Sequence, residues 1–272
     1  RALLDAGHRV VGLCNVAIGF ERLFARELGV GPEQIELDHV GLNHLSWELG
    51  ARVRHADGTA PEVLDTLLMH HGDALADETE LPLALMRSER SIPSYYLRYY
   101  WEHDALVERA RSAPSRADEV AAIERELLAM YADPALTEKP ALLAQRGGAF
   151  YSEAAIGLLS SLLGTGPARD HVVNVRNHGI LPFLDDDAVI ETRAHVSVGE
   201  VHAYPVPEVP PLAAGLIAHV TRYEQLGVEA ALYGDRDRVV RALLAHQLVG
   251  QYDKAQILAD RLIAENQDWL PW

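Results

Sequence analysis

The sequence predicts an α+β fold, and three observations carry that prediction. Strand-like and helical patterns interleave along the 272 residues, but without the regular strand-helix alternation that a complete doubly wound sheet needs. A long central stretch, 61–163, is mostly helical in pattern, with strands concentrated before and after it. The glycine fingerprint of a dinucleotide-binding unit is missing. "GVG" at 29–31 runs into Pro32, and "GTGP" at 164–167 lacks the third glycine.

The elements follow in order. "RALLDAGH" reads as the end of a helix with Gly7 as its stop. "RVVGLCN" is a short apolar strand. "AIGFERLFARELG" is helical, with Phe20, Leu23 and Phe24 on one face and Gly29 closing it. "IELDHVGLNHLSWELGARVRH" alternates imperfectly and predicts two strands around a turn near Asn43. In the helical stretch the clearest piece is "SRADEVAAIERELLAMYAD". Ser115 and Asp118 form a capping-box-like start, and Val120, Ile123, Leu127 and Leu128 supply an apolar face. "HVVNVRNHGILPFLDDDAVIETRAHVSVGEVHAYPV" returns to strands, with Asn177-His178-Gly179 and the Asp185–Asp187 run as turns. "PEVPP" at 207–211 is a break, and helices then run to "DWLPW".

Bulk composition excludes several classes. The formal charge of -16, from 24 basic and 40 acidic residues, argues against nucleic acid, which needs a basic surface to displace counterions. It leaves room for a small anionic ligand, which needs only one or two local cations. A single cysteine means no internal disulfide and fits a reducing, cytoplasmic setting. No apolar run approaches the roughly 20 residues of a membrane span, so no membrane partner is expected. Because the chain opens at Arg1 inside a helical pattern, it reads as the remainder of something longer.

Three groups of residues are candidates for chemistry. Cys14, the one thiol, ends a strand at a helix start, where backbone N–H groups favour a thiolate. His44 lies 30 residues on, at the turn beside Asn43. A thiolate and an imidazole from two strand ends can share a metal and leave open positions for substrate oxygens; the alternative is a buried cysteine acting as a small hydrophobe. "SYYLRYYW" offers four tyrosines, either an aromatic core or a source of a base, which needs adjacent positive charge. Arg116, after the N-cap Ser115, combines a helix N-terminus with a guanidinium and suits a phosphate. Its alternative is a solvated pair with Asp118 or Glu119.

These motifs, taken together, resemble glycoside hydrolase family 4, in particular its 6-phospho-β-glucosidases. "GLCNVAIG" followed by "DHVGLNHLSW" is similar to that family's paired signature. "IPSYYLRYY", "SRADEV", "RGGAFYSEAA" and "VNVRNHGILPFLDDDAVIE" follow in the family's order. The resemblance implies a divalent metal, usually manganese, on Cys14 and His44, Tyr96 as catalytic base with Tyr95 the position most easily confused with it, and Arg116 as phosphate ligand. It implies that Asn15 bonds sugar hydroxyls, where relatives acting on α-linked sugars carry aspartate. Ala17 departs from the family's usual proline at a cost in pre-organisation of the helix start. It assigns Asn177, His178 and Gly179 no catalytic role.

The fold implied is the α+β domain at the C-terminus of lactate and malate dehydrogenases, without a complete Rossmann domain. Residues 1–14 would be the last Rossmann helix and strand, and 15–272 the catalytic, metal-binding domain. The reaction implied is outside the two-carboxylate scheme of most glycosidases. NAD takes a hydride from sugar C3, a base removes the acidified C2 proton, the aglycone leaves from C1, water adds, and hydride returns. The substrate is then a 6-phospho-β-glucoside. NAD serves the full-length family and is not expected to bind this chain alone, which is expected to be inactive by itself and to form a homo-oligomer. The alternatives are a non-catalytic truncated or oligomerisation module, and a 6-phospho-α-glycosidase.

Overall fold

A computed structural model describes residues 1–13, 16–146, 150–270 and 272. Its mixed helices and antiparallel sheet are α+β, as the patterning predicts. The N-terminal helix α1 (Ala2–Asp5) leads to a two-residue strand, β1 (Gly12–Leu13). Helix α2 (Val16–Leu28) buries Phe20, Leu23 and Phe24, the face expected from their spacing.

Strands β2 (Ile35–Gly41) and β3 (Ser46–Val53) form the expected hairpin, from Ile35 opposite Val53 to Gly41 opposite Ser46. Its register shifts between Leu37 and His39. Such a bulge turns successive side chains toward the same neighbour, so Asp38 reaches Arg52 while the next residue, His39, reaches Glu48.

The region read as helical contains α3 (Leu64–His70), α4 (Gly72–Thr79), α5 (Leu83–Glu89), α6 (Arg98–Trp101), α7 (His103–Ser112), α8 (Arg116–Tyr131), α9 (Leu143–Arg146) and α10 (Tyr151–Leu163). It also contains a strand that periodicity does not reveal, β4 (Ile92–Pro93), which pairs with Trp47 and Glu48. Two residues are too few to show alternation. Strands β5 (Arg169–Arg176), β6 (Val189–Ser197) and β7 (Glu200–Ala203) precede α11 (Pro211–Tyr233), α12 (Arg236–Ala245) and α13 (Tyr252–Asn266).

The sheet runs β1-β5-β6-β2-β3-β4, with β7 also on β6, and its pairings are antiparallel. The main core joins Phe24, Trp47, Met86, Ile190 and Ile217 from both ends of the chain. Asn177 is fully buried, where its side chain bonds the backbone of Leu181, Leu184 and Asp185. It organises the turn and has no exposed chemistry. No described helix is long and apolar enough to cross a membrane.

Candidate active site

The turn between β2 and β3 carries His44. Gly41 opens it at φ +150°, and a Cβ there would lie 2.2 Å from the Leu45 carbonyl oxygen, so glycine alone lets the strands close this tightly. The Leu42 N–H donates to the Leu45 carbonyl across the turn at 2.9 Å. His44 itself holds φ +70°, a strained setting for a non-glycine residue and one that clusters at functional sites.

Strand β4 delivers the second component. Its pairing with β3 sets Ser94 beside the turn, where the Ser94 N–H donates to the Ser46 carbonyl at 2.8 Å and its hydroxyl donates to the His44 carbonyl. The chain then winds through a 3-10 turn at Tyr95–Leu97. As a result the Tyr96 ring stacks on the His44 imidazole, with centroids 4.4 Å apart and planes 12° apart. Two of the sequence-predicted residues, 52 positions apart, thus meet.

Tyr95 has different company. The Arg98 guanidinium lies over its ring at 3.7 Å and bonds its hydroxyl. Arg98 is buried and pairs with Glu80, which also accepts from Arg109 at 3.0 Å. Burial raises the Tyr95 pKa against the pull of Arg98. Tyr95 is therefore a supporting wall beside Tyr96, which it meets edge-on at 5.1 Å.

Beneath the turn runs a buried polar ladder that sequence reasoning did not find. His39 Nδ1 lies 2.7 Å from Glu48 Oε1, and its Nε2 lies 2.9 Å from Glu191 Oε1. The Asn174 amide donates to Glu191 Oε2 at 2.9 Å. The side chains of His39, Glu48 and Glu191 are fully enclosed. Burial alone would depress the His39 pKa, but the Glu48 charge and the bonds to both carboxylates overcome it and raise the group to about 10. Glu48, whose own pKa burial raises, and Glu191 thus clamp the imidazole from both sides. Burial lowers the His44 pKa, which the Glu191 charge partly opposes.

Glu21 on α2 belongs to the same electrostatic neighbourhood. Burial, then repulsion by Glu48, pushes its pKa up to about 7, against attraction by His39 and Arg193. A carboxyl whose pKa is higher in the folded state favours folding while protonated, so stability should fall as pH rises from about 4.5 to 7. Glu21→Gln should remove that fall, gaining up to about 3 kcal/mol relative to wild type between pH 4.5 and pH 8. Urea unfolding at the two pH values measures it, and parallel pH profiles would contradict the assignment.

The remaining predicted residues are placed as follows. Cys14 and Asn15 lie outside the described residues. Ser115 caps α8, its hydroxyl oxygen accepting from the Asp118 N–H at 3.1 Å. Arg116 opens that helix, exposed, with its guanidinium on Glu119 at 3.0 Å and on the Gln145 and Arg146 carbonyls. The structure thus gives Arg116 the pairing that its neighbours in sequence suggest, and its bonds do not run to His44 or Tyr96.

As a metal ligand His44 is chemically suited, because burial favours the neutral imidazole that coordination requires. Among the described residues no group of three or more histidine, cysteine, aspartate or glutamate side chains could hold a metal. Cys14, the thiol expected to share that metal, lies outside the described residues. A cavity of about 550 Å³ is lined by Asn43, the residue before His44, and by Asn174, Gly12 and part of α11.

Comparison with known proteins converges on one family. Residues 39–249 match the model of the family 4 glycosyl hydrolase C-terminal domain. The chain is 33% identical over 262 residues to the 6-phospho-beta-glucosidase BglT of Thermotoga maritima, covering 96% of this chain and 62% of that protein. It is 30% identical to a probable 6-phospho-beta-glucosidase of Bacillus subtilis, covering 97% of this chain and 61% of that one. It therefore spans about three fifths of these relatives' length. The structure of the Thermotoga enzyme with manganese, NAD+ and glucose-6-phosphate superposes with a TM-score of 0.86, at 33% identity, over 96% of this chain and 61% of that one.

Proposed function

Because the chain belongs to the family 4 glycosyl hydrolases, we propose that it provides the sugar-handling half of a 6-phospho-β-glucosidase. The observation that carries this reading is the His44–Tyr96 stack, a metal-type ligand and a base-type ring in contact. Similarity to two proteins bearing that name at 30% identity or more supports the β-specific choice, as does asparagine rather than aspartate at position 15.

In this reading Cys14 and His44 hold a divalent metal, manganese, which supplies positive charge to the sugar oxygens at C2 and C3, while NAD bound outside this chain supplies the hydride acceptor. Tyr96 takes the proton from C2. The His44 ring stacks on one face of Tyr96, Tyr95 meets it edge-on and Tyr99 lies 6.5 Å away, so the phenol is held for transfer. Arg116 receives the 6-phosphate. Its exposed pair with Glu119 is worth about 0–1 kcal/mol, so a dianionic phosphate displaces it readily.

Residues 1–14 and 15–272 divide as Rossmann remnant and catalytic domain in the same reading, and a single cysteine suits the cytoplasm. Self-association also belongs to it. Ile156, Leu159 and Leu163 of α10 are 64%, 49% and 69% exposed at helical spacing, an apolar stripe suited to a second copy.

The test is turnover of p-nitrophenyl 6-phospho-β-glucoside with NAD and manganese. This chain joined to a nicotinamide-binding unit should release nitrophenol, and the 272 residues alone should not. Preference for the α-anomer would overturn the β-specific reading. Sustained metal-dependent release by the chain alone would overturn the placement of the cofactor site.

A further inference from the structure

The polar ladder ends at Asn174, and its geometry fixes which way that carboxamide faces. Asn174 sits on β5, opposite Glu191 of β6 on one side and Gly12 of β1 on the other. Glu191 is fully buried and gives one oxygen to His39 and the other to the Asn174 amide nitrogen. The Asn174 amide nitrogen donates to Glu191 Oε2 at 2.9 Å, and a carboxylate oxygen is the accepting partner of that bond. The Asn174 NH2 group must therefore point at Glu191, which turns Oδ1 away from it.

On that other side stands Gly12. A Cβ at position 12 would lie 2.8 Å from Asn174 Cβ and 2.9 Å from its Oδ1. Any residue but glycine would press on the carboxamide. Glycine instead leaves its oxygen uncovered, and Gly12, Asn174 and Asn43 line the same cavity of about 550 Å³. An acceptor of fixed orientation at the wall of a cavity suits a hydroxyl donor.

We propose that Asn174 is a substrate-contacting specificity residue whose carboxamide oxygen accepts a hydrogen bond from one hydroxyl of the sugar, with Glu191 as its positioning residue. This rests on the reading of the cavity as part of a phosphosugar site. The ladder explains why a histidine and two glutamates are enclosed together. His39 holds Glu191 in place through one oxygen, and through the other Glu191 dictates the face that Asn174 shows to the ligand.

The experiment measures inhibition of the joined, active enzyme by glucose 6-phosphate and by its 2-, 3- and 4-deoxy analogues. Wild type should bind one analogue roughly tenfold more weakly than the parent sugar phosphate, the size of one lost hydrogen bond. Asn174→Ala should erase that difference and leave the ratios for the other two analogues unchanged. Gly12→Ala, whose Cβ would come within 2.8 Å of Asn174 Cβ and push the carboxamide aside, should erase the same difference, and so provides a second route should the first variant fail to fold. Glu191→Gln, which no longer dictates the amide's direction, should reduce it. An equal loss for the parent and all analogues, or no change in discrimination, would overturn the proposal. Failure of wild type to bind any of the four would instead count against the phosphosugar reading on which it rests.

Discussion

Replacing His39 by leucine should cost about 3–5 kcal/mol of folding stability at pH 8, because it strips the countercharge from two enclosed carboxylates. His39 lies within 3 Å of Glu48 and Glu191 oxygens, at 2.7 and 2.9 Å, and Glu48 Oε2 is buried with no hydrogen-bond partner among the described atoms. Glu48 and Glu191 then face each other across an apolar side chain and must take up protons or leave the core. Adding Glu48→Gln and Glu191→Gln to the same chain should recover much of the loss, since no unpaired charge remains. The wild type carries the matching pH signature. The His39 pKa rises from 6.5 unfolded to about 10 folded. Its contribution is therefore fully present below pH 6.5 and drains away as pH climbs through about 10. Urea titrations at pH 6, 8 and 10 measure both effects. A loss below about 1 kcal/mol for His39→Leu would mean that His39 does not act as their countercharge.

Tyr96→Phe should lower kcat of the joined enzyme by about 10²–10⁴-fold, the usual contribution of a positioned proton-transfer group. The ring is retained, so its stack on His44 at 4.4 Å and the affinity for manganese should be unchanged. Tyr95→Phe is the internal comparison. It removes a hydroxyl bonded to Arg98, a change felt in the Arg98–Glu80 cluster and far less in kcat. If Tyr95→Phe proved the more damaging to turnover, the base would have been assigned to the wrong ring.

How far these elements were legible in the sequence depended on range. Local signals read well. Phe20, Leu23 and Phe24 do share the buried face of α2, the turn falls where Asn43 predicts it, and Ser115 caps α8. Strand β4 was hidden inside helical surroundings because two residues carry no period, yet it is what brings Tyr96 to His44. The ladder was hidden for another reason. Its four members lie on four strands, from His39 to Glu191, 152 positions apart, and no local pattern links residues joined only by sheet order. His39 also follows a register shift, so simple alternation misjudges the neighbour it meets. The one local hint was "LDHVGLNH" itself, with two histidines five apart in a strand-and-turn segment. Arg116 illustrates the reverse case. The nearby Glu119 announced the pairing that the structure contains, whereas a role toward phosphate depends on a ligand.

The function proposed for this chain puts one metal on Cys14 and His44, beside Tyr96. Crystals grown with manganese and glucose 6-phosphate test it directly through anomalous scattering at the manganese edge. The expected result is a single strong peak within coordination distance of both the Cys14 sulfur and a His44 ring nitrogen, with the Tyr96 hydroxyl facing the bound sugar. A peak elsewhere, or Cys14 and His44 side chains pointing into different compartments of the fold, would contradict it.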